Sequence, residues 1–238
     1  MKPIIAILLL FVAFSACKKE KLTLDDDNNT TPTNTTQVGL EDGDFEEWAT
    51  FTQGAASYQE PTSAWWGTLN KLNYIGGPVT VTKDSSAYKG NFAAKLETKL
   101  WGDDFLITGI LAAGYFDSNA TIGDNLILGR PFDKSPVALK GYFKYLSVNS
   151  DSAGFYANIT RFDTLLMKRD TIAEAKLAIY SSVNDYTLFN IPFVYYLNDV
   201  APDTVNIVFT SSAGGKEFIG HAGSTLWIDD VSFEIPNE

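Results

Sequence analysis

The sequence predicts an all-β protein, a single antiparallel sandwich or jelly roll. Three observations carry this. Apolar residues recur with a period of two in several short segments, the pattern of strands with one buried face. Clusters of Gly, Pro, Asn and Asp separate those segments and supply the turns. Only Thr171 to Tyr180 has a helix-like composition, and its β-branched and aromatic residues, set among strands, favour a strand there too.

The elements follow in chain order. Val79-Thr80-Val81-Thr82 alternates after the turn signal Ile75-Gly76-Gly77-Pro78. Phe92, Ala94 and Leu96 then face one way, and Ala93, Lys95 and Glu97 the other. Leu139, Gly141, Phe143 and Tyr145 alternate with Lys140, Tyr142 and Lys144, and Asn149-Ser150-Asp151 ends the run. Val205, Ile207 and Phe209 alternate with Asn206, Val208 and Thr210, between turn signals at Ala201-Pro202-Asp203 and Ala213-Gly214-Gly215. Each segment reads as a half-buried strand of an antiparallel sheet, and many short strands with frequent turns fit two packed sheets. No repeat and no second linker divides the region from Val38 to Glu238, so it is read as one domain.

Composition bounds the function. The 238 residues carry 29 Asp and Glu against 18 Lys and Arg, a net charge of −11. Nucleic-acid binders need a basic surface to release counterions, so that class is excluded. One Cys and one His leave no internal disulfide and no multi-His metal site.

The first residues read as an export signal. Lys2 is basic, Ile4 to Phe14 is apolar, and Phe14-Ser15-Ala16 leads into the sole cysteine, Cys17. Such a run is too short for a permanent bilayer helix, which needs about 20 residues. The pattern resembles a bacterial lipoprotein signal, with residues 1–16 removed and Cys17 carrying lipid, although Phe14 stands where that pattern prefers Leu. The resemblance implies a membrane partner through the anchor. Lys18, rather than Asp, follows the cysteine, which favours an outer-membrane location. The stretch from Lys18 to Gln37 is Thr, Asn and Asp with one Pro. It holds too little apolar surface to offset its ordering entropy and reads as a tether, with Asp25-Asp26-Asp27 as a solvated run within it.

Both ends of the domain carry patterns of their own. Gly43-Asp44-Phe45-Glu46, with Trp48 behind it, stands near the start, and Leu226-Trp227-Ile228-Asp229-Asp230-Val231-Ser232-Phe233 closes the chain. The pair resembles the termini of jelly-roll carbohydrate-binding modules, where the first and last strands lie side by side. That resemblance implies a structural calcium held by Glu46 and by Asp229 or Asp230, since a hard cation takes oxygen ligands. The structural alternative is a strand-end cap at the Asp pair and a hydrogen bond from Glu46.

Between these ends come Trp66-Gly67-Thr68-Leu69-Asn70, Gly90 to Thr98, Leu139 to Tyr145, Phe189-Asn190-Ile191-Pro192-Phe193, Phe209-Thr210-Ser211-Ser212 and Phe218-Ile219-Gly220. Their order and spacing resemble the putative carbohydrate metabolism domain of exported Bacteroidetes lipoproteins, over essentially all of Val38 to Glu238. The resemblance implies a jelly-roll β-sandwich associated with glycans.

Sugars stack their C–H faces on aromatic rings while polar groups satisfy their hydroxyls. Trp65, Trp66 and Trp101 are the candidate rings, with Asn70, Lys95 and Glu97 as polar partners. The alternatives are a core role for each Trp and a plain ion pair between Lys95 and Glu97. Glycoside hydrolysis would need two carboxylates facing a cleft, and Glu97 with Asp103 or Asp104 is the pair considered. His221, with Ser224 and Asp229 close in sequence, reads as a loop histidine. The leading expectation is a non-catalytic surface or periplasmic lipoprotein that binds polysaccharide or oligosaccharide. A structural or adhesive protein with a protein partner at the cell surface comes second, and a glycan-cleaving enzyme third.

Overall fold

The computed structural model describes residues 35–103, 105–120, 125–214 and 219–237. The signal segment, Cys17, Asp104 and the tether up to residue 34 lie outside the described residues.

The strand β1 (Thr35–Gly39) opens the described chain, three residues before the domain start read from composition. A hairpin, β2 (Trp48–Gln53) and β3 (Ala56–Pro61), follows. The short β4 (Trp66–Thr68) leads into a 3-10 turn over Asn70–Ile75, which Gly76 ends at φ 86°, a conformation that suits glycine. Next come β5 (Val81–Asp84), β6 (Ala93–Glu97), and a small hairpin of β7 (Lys99–Trp101) and β8 (Phe105–Ile107). The chain continues through β9 (Ile110–Phe116), β10 (Leu126–Leu128), β11 (Arg130–Pro131) and β12 (Ala138–Leu146). The long pair β13 (Ala153–Asp163) and β14 (Lys168–Ile179) is followed by β15 (Val183–Pro192) and β16 (Val194–Tyr195). The described chain ends with β17 (Thr204–Thr210) and β18 (Thr225–Pro236).

Apart from the two-stranded hairpins β2–β3 and β7–β8, these strands form two antiparallel sheets packed face to face, a jelly-roll β-sandwich. One sheet runs β15-β12-β18-β6-β5, and β1 pairs with β18. The first and last strands therefore lie side by side, as the terminal resemblance implied. The other sheet runs β10-β9-β17-β13-β14-β16, with β4 on β9 and β11 on β17. Thr171 to Ile179 is strand, inside β14.

The period-two faces turn inward as expected. Leu139, Phe143 and Tyr145 of β12, Ala94 and Leu96 of β6, and Val205, Ile207 and Phe209 of β17 are all buried. Phe143 and Phe189 from one sheet meet Phe155 and Phe209 from the other, and Phe155 stands edge-on to both Phe143 and Phe209. Burial of each such ring contributes about 1.5–3 kcal/mol. Gly141 sits opposite Phe189, whose ring would stand 2.6 Å from any added Cβ, so a side chain there would displace the core.

The sandwich has two distinct ends. A short loop joins β12 to β13, so Leu146 and Ala153 share one end, and Ala138 and Asp163 share the other. Pairing of Ala138 with Glu234, and of Thr35 with Pro236, puts the start of β1 at the Asp163 end.

Candidate functional site

The two outward sheet faces differ in what covers them. On the β12–β18–β6 face, the loop of residues 85–92 folds back over the strands. Tyr88 stacks on Tyr142 with ring centroids 3.4 Å apart and planes 11° apart. Tyr186 donates its hydroxyl to the Ser86 carbonyl, and Lys144 donates to Ser86 Oγ. Lys144 is further held over Trp227 at 4.6 Å and Tyr186 at 5.1 Å. Lys140 pairs with Glu234 at 2.6 Å. Lys140 and Lys144, the outward lysines of β12, are thus engaged by groups of the chain itself.

The residues expected to hold calcium secure that same loop. Glu46 accepts the backbone N–H groups of Asn91 (2.8 Å) and Phe92 (3.0 Å) and the Asn91 side-chain amide (3.1 Å). Asp229, fully buried, accepts Tyr88 N–H (2.7 Å) and Lys89 N–H (3.0 Å) on one oxygen and Asp230 N–H (2.8 Å) on the other. Asp230 takes φ 49° at a bulge between β12 and β18 and lies 3.4 Å from the Lys89 ammonium. Gly90 passes so close that an added Cβ would meet Glu46 Oε1 at 2.2 Å. The carboxylate lone pairs are directed at N–H protons, so this set does not fit a calcium ion, which requires free oxygen ligands. Among the described residues no group of three or more His, Cys, Asp or Glu is placed to hold a metal. A calcium titration should leave the melting temperature within about 1 °C, because only a ligand that binds the native state raises it. A rise of several degrees would contradict this assignment.

The β17–β13–β14 face is lined by two rows of mostly half-buried side chains, with Lys176 and Tyr196 exposed. Asn206, Asn158 and Glu174 lie in register across β17, β13 and β14, and Val208, Tyr156 and Lys176 form the next row. Strand alternation puts all six on the side away from the core. The Tyr156 hydroxyl donates to Glu174 Oε1 at 2.9 Å, and the Tyr196 hydroxyl donates to Oε2 at 2.9 Å. The Lys176 ammonium is 2.9 Å from the same carboxylate and 5.4 Å from the Tyr156 ring centre. Asn206 donates its amide to Asn158 Oδ1. Tyr196 is 58% exposed. Burial pushes the Glu174 carboxyl up, but hydrogen bonds from Lys176, Tyr196 and Tyr156 outweigh it and hold the group below its ordinary value. Burial and the neighbouring Glu174 push the Tyr156 phenol up. The face therefore offers neutral phenol rings, an ionised carboxylate, an ammonium and two amides. That set can stack sugar C–H faces and satisfy hydroxyls.

Of the residues proposed from sequence, Trp101 lies on the outer side of this sheet. It lies on the β7–β8 hairpin and packs against a satellite cluster of Leu69, Leu72 and Ile107, together with Ile110 and Phe116. Those last two alternate with the core-facing Leu111 and Ala113 of β9, which puts the Trp101 hairpin at the β9 edge of the same sheet surface. Two strand spacings, roughly 10 Å, separate β9 from β13.

The other predicted residues are placed elsewhere. Trp66 is 3% exposed; its Nε1 donates to the Glu41 and Asp42 carbonyls, and Phe45 and Phe209 pack on it. Asn70 is fully buried and uses its whole amide on Gln59, Thr80 and Val81 backbone groups. Neither offers a surface to a ligand in this arrangement. Trp65 is half-buried against Trp66, and its carbonyl accepts from Arg130 Nε at 2.9 Å. Lys95 and Glu97 pair with each other at 3.3 Å, and Lys99 joins Glu97 at 3.6 Å. His221 meets Asp151 only through its backbone N–H, while Ser224 Oγ accepts Val148 N–H and Asp229 is committed to the covering loop, so these residues form no catalytic triad.

Sequence reasoning missed Tyr156, Glu174, Lys176 and Tyr196. The signal available was the period-two alternation in β13 and β14. It marks which residues point outward, not which strands become neighbours.

Three carboxyls are pushed up, all chiefly by burial: Asp42 to about 6, Glu60, and Asp229. They sit on separate elements. Asp42 is higher in the folded state than in the unfolded chain, so the fold favours its protonated form. That contribution is full below about pH 4 and is lost as pH rises through 6. Asp42→Asn should therefore raise stability at pH 8 by about 1 kcal/mol, after discounting for solvent screening, and leave it unchanged near pH 4. Chemical denaturation at the two pH values checks this, and equal effects at both would contradict it.

The comparisons with known proteins agree with this architecture. A solved structure described as a putative glycoside hydrolase from Bacteroides vulgatus matches at TM-score 0.69 and 19% identity, over 86% of this chain and 98% of that one. Another so described, from Bacteroides thetaiotaomicron, matches at TM-score 0.66 and 21% identity, over 85% and 72%. A xylan-binding domain from Paenibacillus barcinonensis matches over 85% and 94% at 12% identity and TM-score 0.38, too distant to carry an argument. None of the curated proteins matches the chain. The model of the family described as putative carbohydrate metabolism domain matches residues 34–163 and 152–234, and the chain belongs to that family.

Proposed function

We propose that this protein is a non-catalytic glycan-binding lipoprotein, held at the outer membrane through lipid on Cys17. It captures polysaccharide or oligosaccharide for partner enzymes or transporters. The observation that carries the reading is the β17–β13–β14 face, where Tyr156 and Tyr196 flank Glu174 beside Lys176, Asn158 and Asn206. Family membership and the β-sandwich support it. The anchor rests on Cys17 standing after the apolar run and small residues.

A glycan array probed with the Cys17→Ser protein tests this. The chain should start no later than Thr35, because Thr35 to Gly39 pair with the last strand. Signal on one glycan class supports the proposal and names the ligand. No signal from folded protein overturns it in favour of a structural or adhesive role.

A catalytic reading draws on the two Bacteroides structures described as putative glycoside hydrolases. It needs two carboxyls facing one cleft. Glu174 is held ionised and the raised carboxyls sit on separate elements, which favours binding. Loss of array glycan during incubation would decide for catalysis.

A further inference from the structure

The turn between β13 and β14 projects three consecutive large apolar side chains. Leu165 is 91% exposed, Leu166 64% and Met167 74%. Isolated exposed apolar residues are ordinary, but three in a row at a hairpin tip are not. The turn does not require them. Asp163 Oδ1 accepts the N–H groups of Leu165 (2.8 Å) and Leu166 (3.0 Å) and shapes the turn alone. Met167 adopts φ 51°, where Gly or Asn would fit with less strain. Met167 is therefore an apolar residue at a position whose backbone favours another.

Two features of the surroundings identify what the tip meets. The first is charge. The chain is strongly acidic, yet Arg161, Lys168 and Arg169 balance Asp163, Asp170 and Asp203 around the tip. Lys168 pairs with Asp170 at 2.8 Å, and Arg169 with Asp203 at 2.7 Å. An anionic headgroup layer meets no net like charge here. The second is position. Thr35, the first described residue, stands at the same end of the sandwich as Asp163.

We propose that Leu165, Leu166 and Met167 insert into the lipid surface to which the chain is tethered, orienting the domain on its membrane. This choice of occupant rests on the reading of Cys17 as the anchor.

The test avoids depending on that anchor. Cys17→Ser removes the sole cysteine, and Leu166→Cys then accepts a single environment-sensitive dye. Added to phosphatidylethanolamine–phosphatidylglycerol vesicles, the labelled protein should show blue-shifted emission that persists at high salt, as apolar insertion requires. In the unlabelled Cys17→Ser protein, adding Leu165→Ser and Met167→Ser should cut vesicle partition by about tenfold or more. Unchanged emission from labelled protein that melts like its parent overturns the proposal. So does undiminished partition of the serine variant, or a blue shift without vesicles that grows with protein concentration and marks a second copy on the tip. The lipid on Cys17 is tested separately by the mass of the mature N-terminus, so failure of either reading is distinguishable from failure of the other.

Discussion

Replacing Asn70 by Ala should destabilise the domain by about 3–5 kcal/mol or abolish folding, an effect in the range reserved for broken buried networks. The side chain is fully buried. Its amide nitrogen donates to the Gln59 carbonyl (2.9 Å) and the Val81 carbonyl (2.6 Å), and its oxygen accepts from Thr80 and Val81 N–H at 3.0 Å each. One residue thus ties β3 to β5 at the sheet edge and satisfies four backbone groups. Alanine leaves all four without a partner where little water reaches, and each costs roughly 1–3 kcal/mol. Asn70→Asp keeps an acceptor but loses both donations, so it should also be strongly destabilised. Urea denaturation measures both. An unchanged midpoint with lost glycan binding would restore Asn70 to a ligand site.

Tyr196→Ala should weaken binding to the glycan class found on the array by about tenfold, the value of an exposed ring stacked on a ligand. Its ring is largely exposed and its hydroxyl ends on Glu174, so stability should change little. Glu174→Gln preserves shape but removes the charge that gathers Tyr156, Tyr196 and Lys176. It should cost at least as much affinity, because it frees three groups from one orientation at once. Tyr88→Ala, on the covered face, serves as the control and should leave affinity unchanged. Titration calorimetry of the three variants decides. Lost affinity in Tyr88→Ala with full affinity in the other two would move the site to the β12–β18–β6 face.

The sequence by itself determined the class of fold and the direction of each strand's side chains. Period-two alternation is local: Leu139 to Tyr145 and Val205 to Phe209 turn the same residues inward whatever strands flank them. The side-by-side termini followed from the resemblance of Gly43 to Glu46 and Leu226 to Phe233, but most of the first strand, Thr35 to Gln37, fell in the stretch read as tether, because its Thr and Gln residues gain their order only from pairing with β18. The ion pair between Lys95 and Glu97 was likewise open to a local reading.

Tertiary structure alone decided which candidates reach solvent and which carboxylates are free. Trp66 and Trp101 are alike in sequence, yet one anchors the core and the other sits on a peripheral hairpin. Nothing within a few residues of Glu46 or Asp229 announces that the loop at Tyr88 to Phe92 will direct N–H groups at both. The polar face exists only once β13 and β14 lie beside β17, bringing Asn206 against Asn158 and Glu174. Those residues are distant in the chain, and their meeting depends on register, which follows from packing of the whole sandwich rather than from any one strand.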